Sequence, residues 1–165
     1  MPILRSVIAL VTLFAPLGLA GCGGGDASTA EASQHEVDVS ACAADPRTSS
    51  YQANMSQKSQ NEAFSLKLQK SDPAPPAKGD NTWQIQLVDA HGAPVNDATI
   101  DVVPFMPDHG HGTSIHPLVT PDGSGKGQYA ISRINLWMPG LWQVTLHVAA
   151  DGAADDIVLG FCITG

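Results

Sequence analysis

The chain is short of charge. Only 15% of its 165 residues are Asp, Glu, Lys or Arg, and the basic residues number 8 against 16 acids. A net charge of −8 leaves nothing to neutralise phosphates in bulk, which excludes nucleic acid and anionic headgroups as partners. Catalytic signatures are missing as well. There is no Gly-x-Ser-x-Gly elbow, no His-Glu-x-x-His pair and no phosphate loop, so the expectation is a protein that is not an enzyme. Ser114 near His116 is only a local adjacency, and Asp155 and Asp156, as neighbours in a strand, would point to opposite faces. No internal repeat and no strong helical periodicity occurs. What is plentiful is turn chemistry, with 16 Gly and 12 Pro, and apolar residues at 43%, enough for a core. That combination favours β-structure over helix bundles.

The first segment is an address rather than part of a fold. Residues 1–21 read as a signal peptide, with Arg5 in the n-region and an apolar run from Val7 to Ala20 too short for a convincing spanning helix. The run ends in Leu19-Ala20-Gly21-Cys22, which resembles the lipobox of bacterial lipoproteins. The resemblance implies lipidation of Cys22 and an extracytoplasmic protein anchored to a bacterial membrane. Of the three cysteines, removing Cys22 leaves a pair, Cys42 and Cys162. In an oxidising compartment these are expected to form a disulfide, the alternative being two free thiols. They lack the close spacing of a metal-binding cysteine pair.

Residues 22–61 read as a polar, lipid-anchored tether docked at Cys42. From Glu62 the pattern turns to period two. Phe64, Leu66 and Leu68 alternate with polar residues, then Trp83, Ile85 and Leu87, then Ile100 and Val102. A short strand is expected near Ile115–Val119, another from Tyr129 toward Leu136, and two more through Trp142–Val148 and Ile157–Phe161. Seven short strands separated by turns predict an all-β domain over 62–165, a single two-sheet antiparallel sandwich of immunoglobulin-like type.

Chemistry concentrates in one segment. Between Pro104 and His116 the chain places Met106, Asp108, His109, His111 and His116, three of its six histidines. A thioether beside imidazoles is a copper ligand mixture: soft sulfur suits Cu(I), and imidazole suits Cu(II), Zn and Ni. Gly110 and Gly112 free the backbone so that His109 and His111 can address one centre, and residues i and i+2 of a strand would share a face in any case. A second thioether, Met138, sits in the turn Leu136-Trp-Met-Pro-Gly140. Loops of a sandwich cluster at its two ends, so this turn and the His-rich loop can meet. The candidate metal ligands are therefore Met106, His109, His111, Met138 and His116. Against them stands a plain reading in which Met106 and Met138 pack inward and the histidines are solvated. His91 and His147 read as solvent-facing surface residues.

Four motifs in order carry a family resemblance: Leu87-Val-Asp-Ala-His-Gly-Ala-Pro-Val95, Met106-Pro-Asp-His-Gly-His-Gly112, Gly125-Lys-Gly-Gln-Tyr129 and Trp137-Met-Pro-Gly-Leu-Trp-Gln-Val144. Together they resemble the YtkA-like domain, grouped with FixH-type exported β-sandwich proteins. The resemblance covers roughly Phe64 to Val148 and implies a role near copper handling or respiratory-oxidase assembly. In that family a second Met often stands where this chain has Asp108 and His109.

The expectation is thus a lipid-anchored, extracytoplasmic sandwich that binds copper, in preference to zinc, as a metal carrier or assembly accessory for a metalloprotein partner. The rival is a metal-free interaction module at the membrane surface.

Overall fold

The structure is a computed structural model that describes residues 39–165. The signal peptide, Cys22 and His35 lie outside the described residues. One six-residue helix, α1 (Val39–Ala44), precedes nine strands. These are β1 (Met55–Lys58), β2 (Phe64–Asp72), β3 (Gly79–Asp89), β4 (Thr99–Met106), β5 (His111–Gly112), β6 (Leu118–Pro121), β7 (Gln128–Leu136), β8 (Gly140–Ala150) and β9 (Ala153–Ile163). They form two antiparallel sheets, ordered β1-β2-β3-β7-β6 and β5-β4-β8-β9, in the sandwich that the period-two pattern predicts. Among the described residues no helix is long and apolar enough to cross a membrane.

Alternation builds the core directly. Leu66 and Leu68 of β2, Trp83, Ile85 and Leu87 of β3, and Trp142, Val144 and Leu146 of β8 are all buried, and polar neighbours face out. Each fully buried Leu or Ile contributes roughly 1.5–3 kcal/mol relative to an exposed position. In β7 the alternation breaks after Ile131 and resumes at Ile134. The pairing shows why: Trp83 faces Ile131 and Asn81 faces Ile134, so Ser132 and Arg133 together oppose Thr82. This bulge holds Arg133 at φ 61° and re-phases the strand so that Ile134 and Leu136 return to the core.

Two strands and the helix differ from the sequence expectation of seven strands after a polar tether. β1 lies before Glu62 and contains one apolar residue, Met55, so it has no pattern of its own; pairing with β2 makes it a strand. β5 has two residues, too few to carry any periodicity. The strand expected near Ile115–Val119 begins only at Leu118, because the chain uses 113–117 to pass from one sheet to the other.

The segment before the sandwich is fastened along β9. Cys42 and Cys162 form the expected disulfide, with Cα atoms 5.6 Å apart and 120 positions between them. In the chain-entropy description a loop of that size is worth about 4–5 kcal/mol. Ser49 N donates to Gly160 O at 2.7 Å, and Gln60 N to Asp156 O at 2.9 Å, so backbone groups on the open edge of β9 find partners. Asp155 completes this fastening. Its carboxylate accepts from Asn61 N at 2.9 Å, Asn61 Nδ2 at 3.0 Å, Ala63 N at 3.3 Å and Asp156 N at 2.9 Å.

The Ser59 hydroxyl, shared with Phe64 O, and then the backbone N–H groups of Asp156, Asn61 and Ala63 hold the Asp155 carboxyl well below the usual carboxylate range. A native pKa below the unfolded value means stability that is present above about pH 4 and is lost as pH falls toward the native pKa. Urea unfolding from pH 6 to pH 2 should therefore show a steep acid limb, and Asp155→Asn should flatten it. Superimposable pH profiles for the two proteins would show that this carboxylate does not couple folding to protons.

Candidate metal centre

The His-rich segment is a tight hairpin. β4 ends at Met106, and residues 107–110 turn back with Gly110 N donating to Met106 O at 2.9 Å and His109 N to the same oxygen at 3.2 Å. Gly110 sits at φ 70°, in the left-handed region that closes such turns. β5 then pairs Met106 with His111 and Phe105 with Gly112. A Cβ on Gly112 would stand 2.6 Å from Pro104 O, so only glycine allows this close return.

His109 and His111 therefore do not sit on one strand face, as the i, i+2 argument supposes. His109 is in the turn and His111 opens β5. Their rings are nonetheless neighbours, with centroids 5.6 Å apart at 81°. The ring of His111 also stacks on Trp137, with centroids 5.6 Å apart at 27°. Trp137 is 47% exposed and lines, with His111, Thr113, Ile115 and Asn135, an open groove of about 470 Å³.

The turn carrying Met138 does meet the His-rich hairpin, through Gly140 and Trp137. β4 pairs with β8 from Thr99 opposite Ala149 to Phe105 opposite Gln143, which sets the end of β4 beside the start of β8. There Gly140 has φ 128°, and a Cβ built on it would stand 2.7 Å from Met106 Cε and 3.9 Å from His109 Nε2. The missing side chain makes room for the terminal methyl carbon of the buried Met106, with His109 Nε2 beside the same position and the His111 ring next to that of His109. Met138 packs against the core, and its carbonyl accepts Trp142 Nε1–H at 2.9 Å.

Other sequence candidates lie elsewhere. His116 is exposed in the link to β6 and makes no ring contact with His109 or His111. His91 is exposed in the turn after Asp89, at the opposite end of β3 from the Gly79–Leu136 pairing. His147 faces solvent along β8 with Nδ1 2.7 Å from Asp156 Oδ1. Among the described residues no three His, Cys, Asp or Glu side chains are grouped to hold a metal ion. Any centre built on the two neighbouring imidazoles would need a donor of another kind, and the thioether of Met106 would make such a set soft.

One participant was invisible in the sequence. Arg47, in the segment behind the disulfide, forms a bidentate pair with Asp108, Nη1 to Oδ1 at 2.8 Å and Nη2 to Oδ2 at 3.1 Å. It also binds Asp45, whose carboxyl it lowers to about 2 through side-chain hydrogen bonds. No local signal links positions 61 residues apart; an isolated Arg in an otherwise polar stretch was the only trace.

Residues 57–147 match the YtkA-like family. The chain belongs to the YtkA-like family. No curated protein matches it. A crystal structure of a DUF4426 family protein from Pseudomonas aeruginosa PAO1 is similar over 67% of this chain and 96% of that chain, at 14% identity and a TM-score of 0.47. In this YtkA-like protein Met106, His109, His111, Met138 and Gly140 lie inside the matched stretch, whereas Cys42, Arg47 and Cys162 lie outside it.

Gly140 offers a direct check on the space it leaves for Met106. Gly140→Ala meets both a forbidden φ and Met106 Cε, so it should cost about 1–3 kcal/mol in unfolding free energy. Gly110→Ala, with nothing within 4 Å of its Cβ, should cost less. Equal losses in chemical denaturation would mean that Met106 does not press on this position.

Proposed function

We propose that this YtkA-like protein is a lipid-anchored, extracytoplasmic copper carrier that takes up one ion at Met106, His109 and His111. One observation carries the reading: the end of the Met106 side chain, at Cε, and Nε2 of His109 both lie within 4 Å of the Gly140 Cβ position, and the His109 ring neighbours that of His111 at 5.6 Å. Thioether plus imidazole is a donor set that suits copper better than zinc. A surface of net charge −8 raises the local concentration of cations. Met138, packed against the core, His116 and His91 are peripheral to the site. With no nucleophile–base arrangement in the sequence, the role is that of a carrier or an assembly accessory, handing its ion to a metalloprotein such as an oxidase under assembly. Cys22, as a lipidated residue, would keep the domain at the membrane.

The alternative, a metal-free interaction module, draws support from the exposed apolar residues Phe105, Leu118 and Trp137. Calorimetric titration separates the two readings. The mature protein should take up about one copper, and Met106→Leu combined with His109→Ala and His111→Ala should abolish uptake with the far-UV circular dichroism unchanged, because Leu nearly conserves the buried volume of Met. Undiminished stoichiometry in the triple variant, or no heat with copper or zinc for the parent protein, removes the carrier reading.

A further inference from the structure

Leu141 is only 4% exposed, yet it stands outside the hydrophobic core cluster. Its neighbour Trp142 belongs to that core, so Leu141 points to the outer face of its sheet, opposite Cys162 of β9. α1 packs against β8 and β9 and is joined to Cys162 through Cys42, so the N-terminal segment is what covers Leu141. Farther along, Arg47 O lies so close over Gly160 that any Cβ there would overlap it, and the Arg47 guanidinium reaches Asp108 in the turn after β4. The segment is a strap laid on the outside of the sandwich.

The strap adds little to the fold beneath it. From Ala41 onward, Tyr51 is the first hydrophobic residue packed against the core cluster. Tyr51 also marks where other fastenings begin. Its hydroxyl accepts from Ser71 N at 3.1 Å, and its ring meets Phe161 edge-on at 6.5 Å. Beyond it, Asn54 N donates to Leu68 O at 2.8 Å, and Asn61 N and Ala63 N donate to Asp155. The strap itself is held by lighter ties. Ser49 N donates to Gly160 O at 2.7 Å, and the Arg47–Asp108 pair is exposed, a kind of pair that holds little. A helix of six residues does not persist on its own. The strong tie is the disulfide, and both of its cysteines are partly exposed, within reach of a reductant.

We propose that the Cys42–Cys162 bond is a redox-sensitive latch on the strap Val39–Ser49. A dithiol reductant opens it, the strap lifts from β8 and β9, and Leu141 and the Asp108 turn are uncovered, while the sandwich from Tyr51 onward stays folded. The exchange is balanced. One thiolate of the reductant attacks a sulfur of the bond and forms a mixed disulfide, and its second thiol resolves that intermediate. The reductant leaves as a disulfide, and Cys42 and Cys162 are left as two thiols. This latch does not depend on the copper reading, and it lies before the family match over residues 57–147 at one end and beyond it at the other.

Hydrogen exchange read by mass spectrometry tests the latch on the mature protein carrying Cys22→Ser, so that no third thiol can take part. Three forms are compared: oxidised, reduced with dithiothreitol in the absence of denaturant, and Cys42→Ser combined with Cys162→Ser. Dithiothreitol should expose two alkylatable thiols per chain under these native conditions. Exchange over residues 41–49 should then speed up by about tenfold or more, with the amides of β2, β3 and β7 keeping their oxidised rates. The double variant should match the reduced protein, and hydroxyl-radical labelling of its Leu141 should exceed that of the oxidised parent. If the double variant does not fold, the reduced parent decides the matter. A bond that resists dithiothreitol until the sandwich unfolds overturns the inference. So does unchanged protection of residues 41–49 after reduction, or loss of protection through β2, β3 and β7 in the reduced parent, which would make the bond a staple of the whole fold.

Discussion

The register between β4 and β8 governs the whole His/Met end of the molecule. Opposing Phe105 to Gln143 sets the last residue of β4, Met106, beside Trp142, and its side chain then reaches the Cβ position of Gly140, the first residue of β8. Alternation then forces Met106 into the core, as it forces Val102 and Pro104 before it. A one-residue slip would turn Met106 outward and drive Phe105 into its place. The thioether is therefore fixed by the same packing that stabilises the sandwich. The turn from Pro107 to Gly110 brings His109 Nε2 to 3.9 Å from the Gly140 Cβ position.

The three proposed donors differ in burial. Met106 is fully buried, while His109 is exposed and the ring of His111 rests on the half-exposed Trp137. An ion entering from solvent would meet imidazole first and sulfur last. Behind the hairpin, the disulfide-fastened segment reaches the same end of the sheet, because Cys162 lies opposite Leu141, one position from Gly140. The chain thus brings its N-terminal segment, through Arg47 and Asp108, to the back of the candidate centre.

How much of this could be read in advance depends on whether the cause was local. β2, β3, β8 and β9 were legible because each buries one face, and burial writes itself into every second residue. β7 was legible only in outline, since the bulge at Ser132 and Arg133 breaks the period and is decided by its pairing with β3. β1 and β5 were not legible: Met55–Lys58 offers one apolar residue, and His111–Gly112 is a strand only by return pairing onto β4. At the site, composition pointed to Met106, His109 and His111, and the clustering of loops pointed to the turn before β8. The contact that matters there is made by Gly140, a residue with no side chain to notice. The pairing of Arg47 with Asp108 depends on a fold-wide closure that no window of sequence contains.

The proposed binding of copper by Met106, His109 and His111 is tested most directly by X-ray absorption at the copper edge of the loaded, full-length mature protein. The expected first shell holds one sulfur scatterer together with imidazole nitrogens, and the sulfur disappears in Met106→Leu while the imidazole pattern remains. A shell of nitrogen and oxygen alone, identical in the parent protein and in Met106→Leu, would contradict the account.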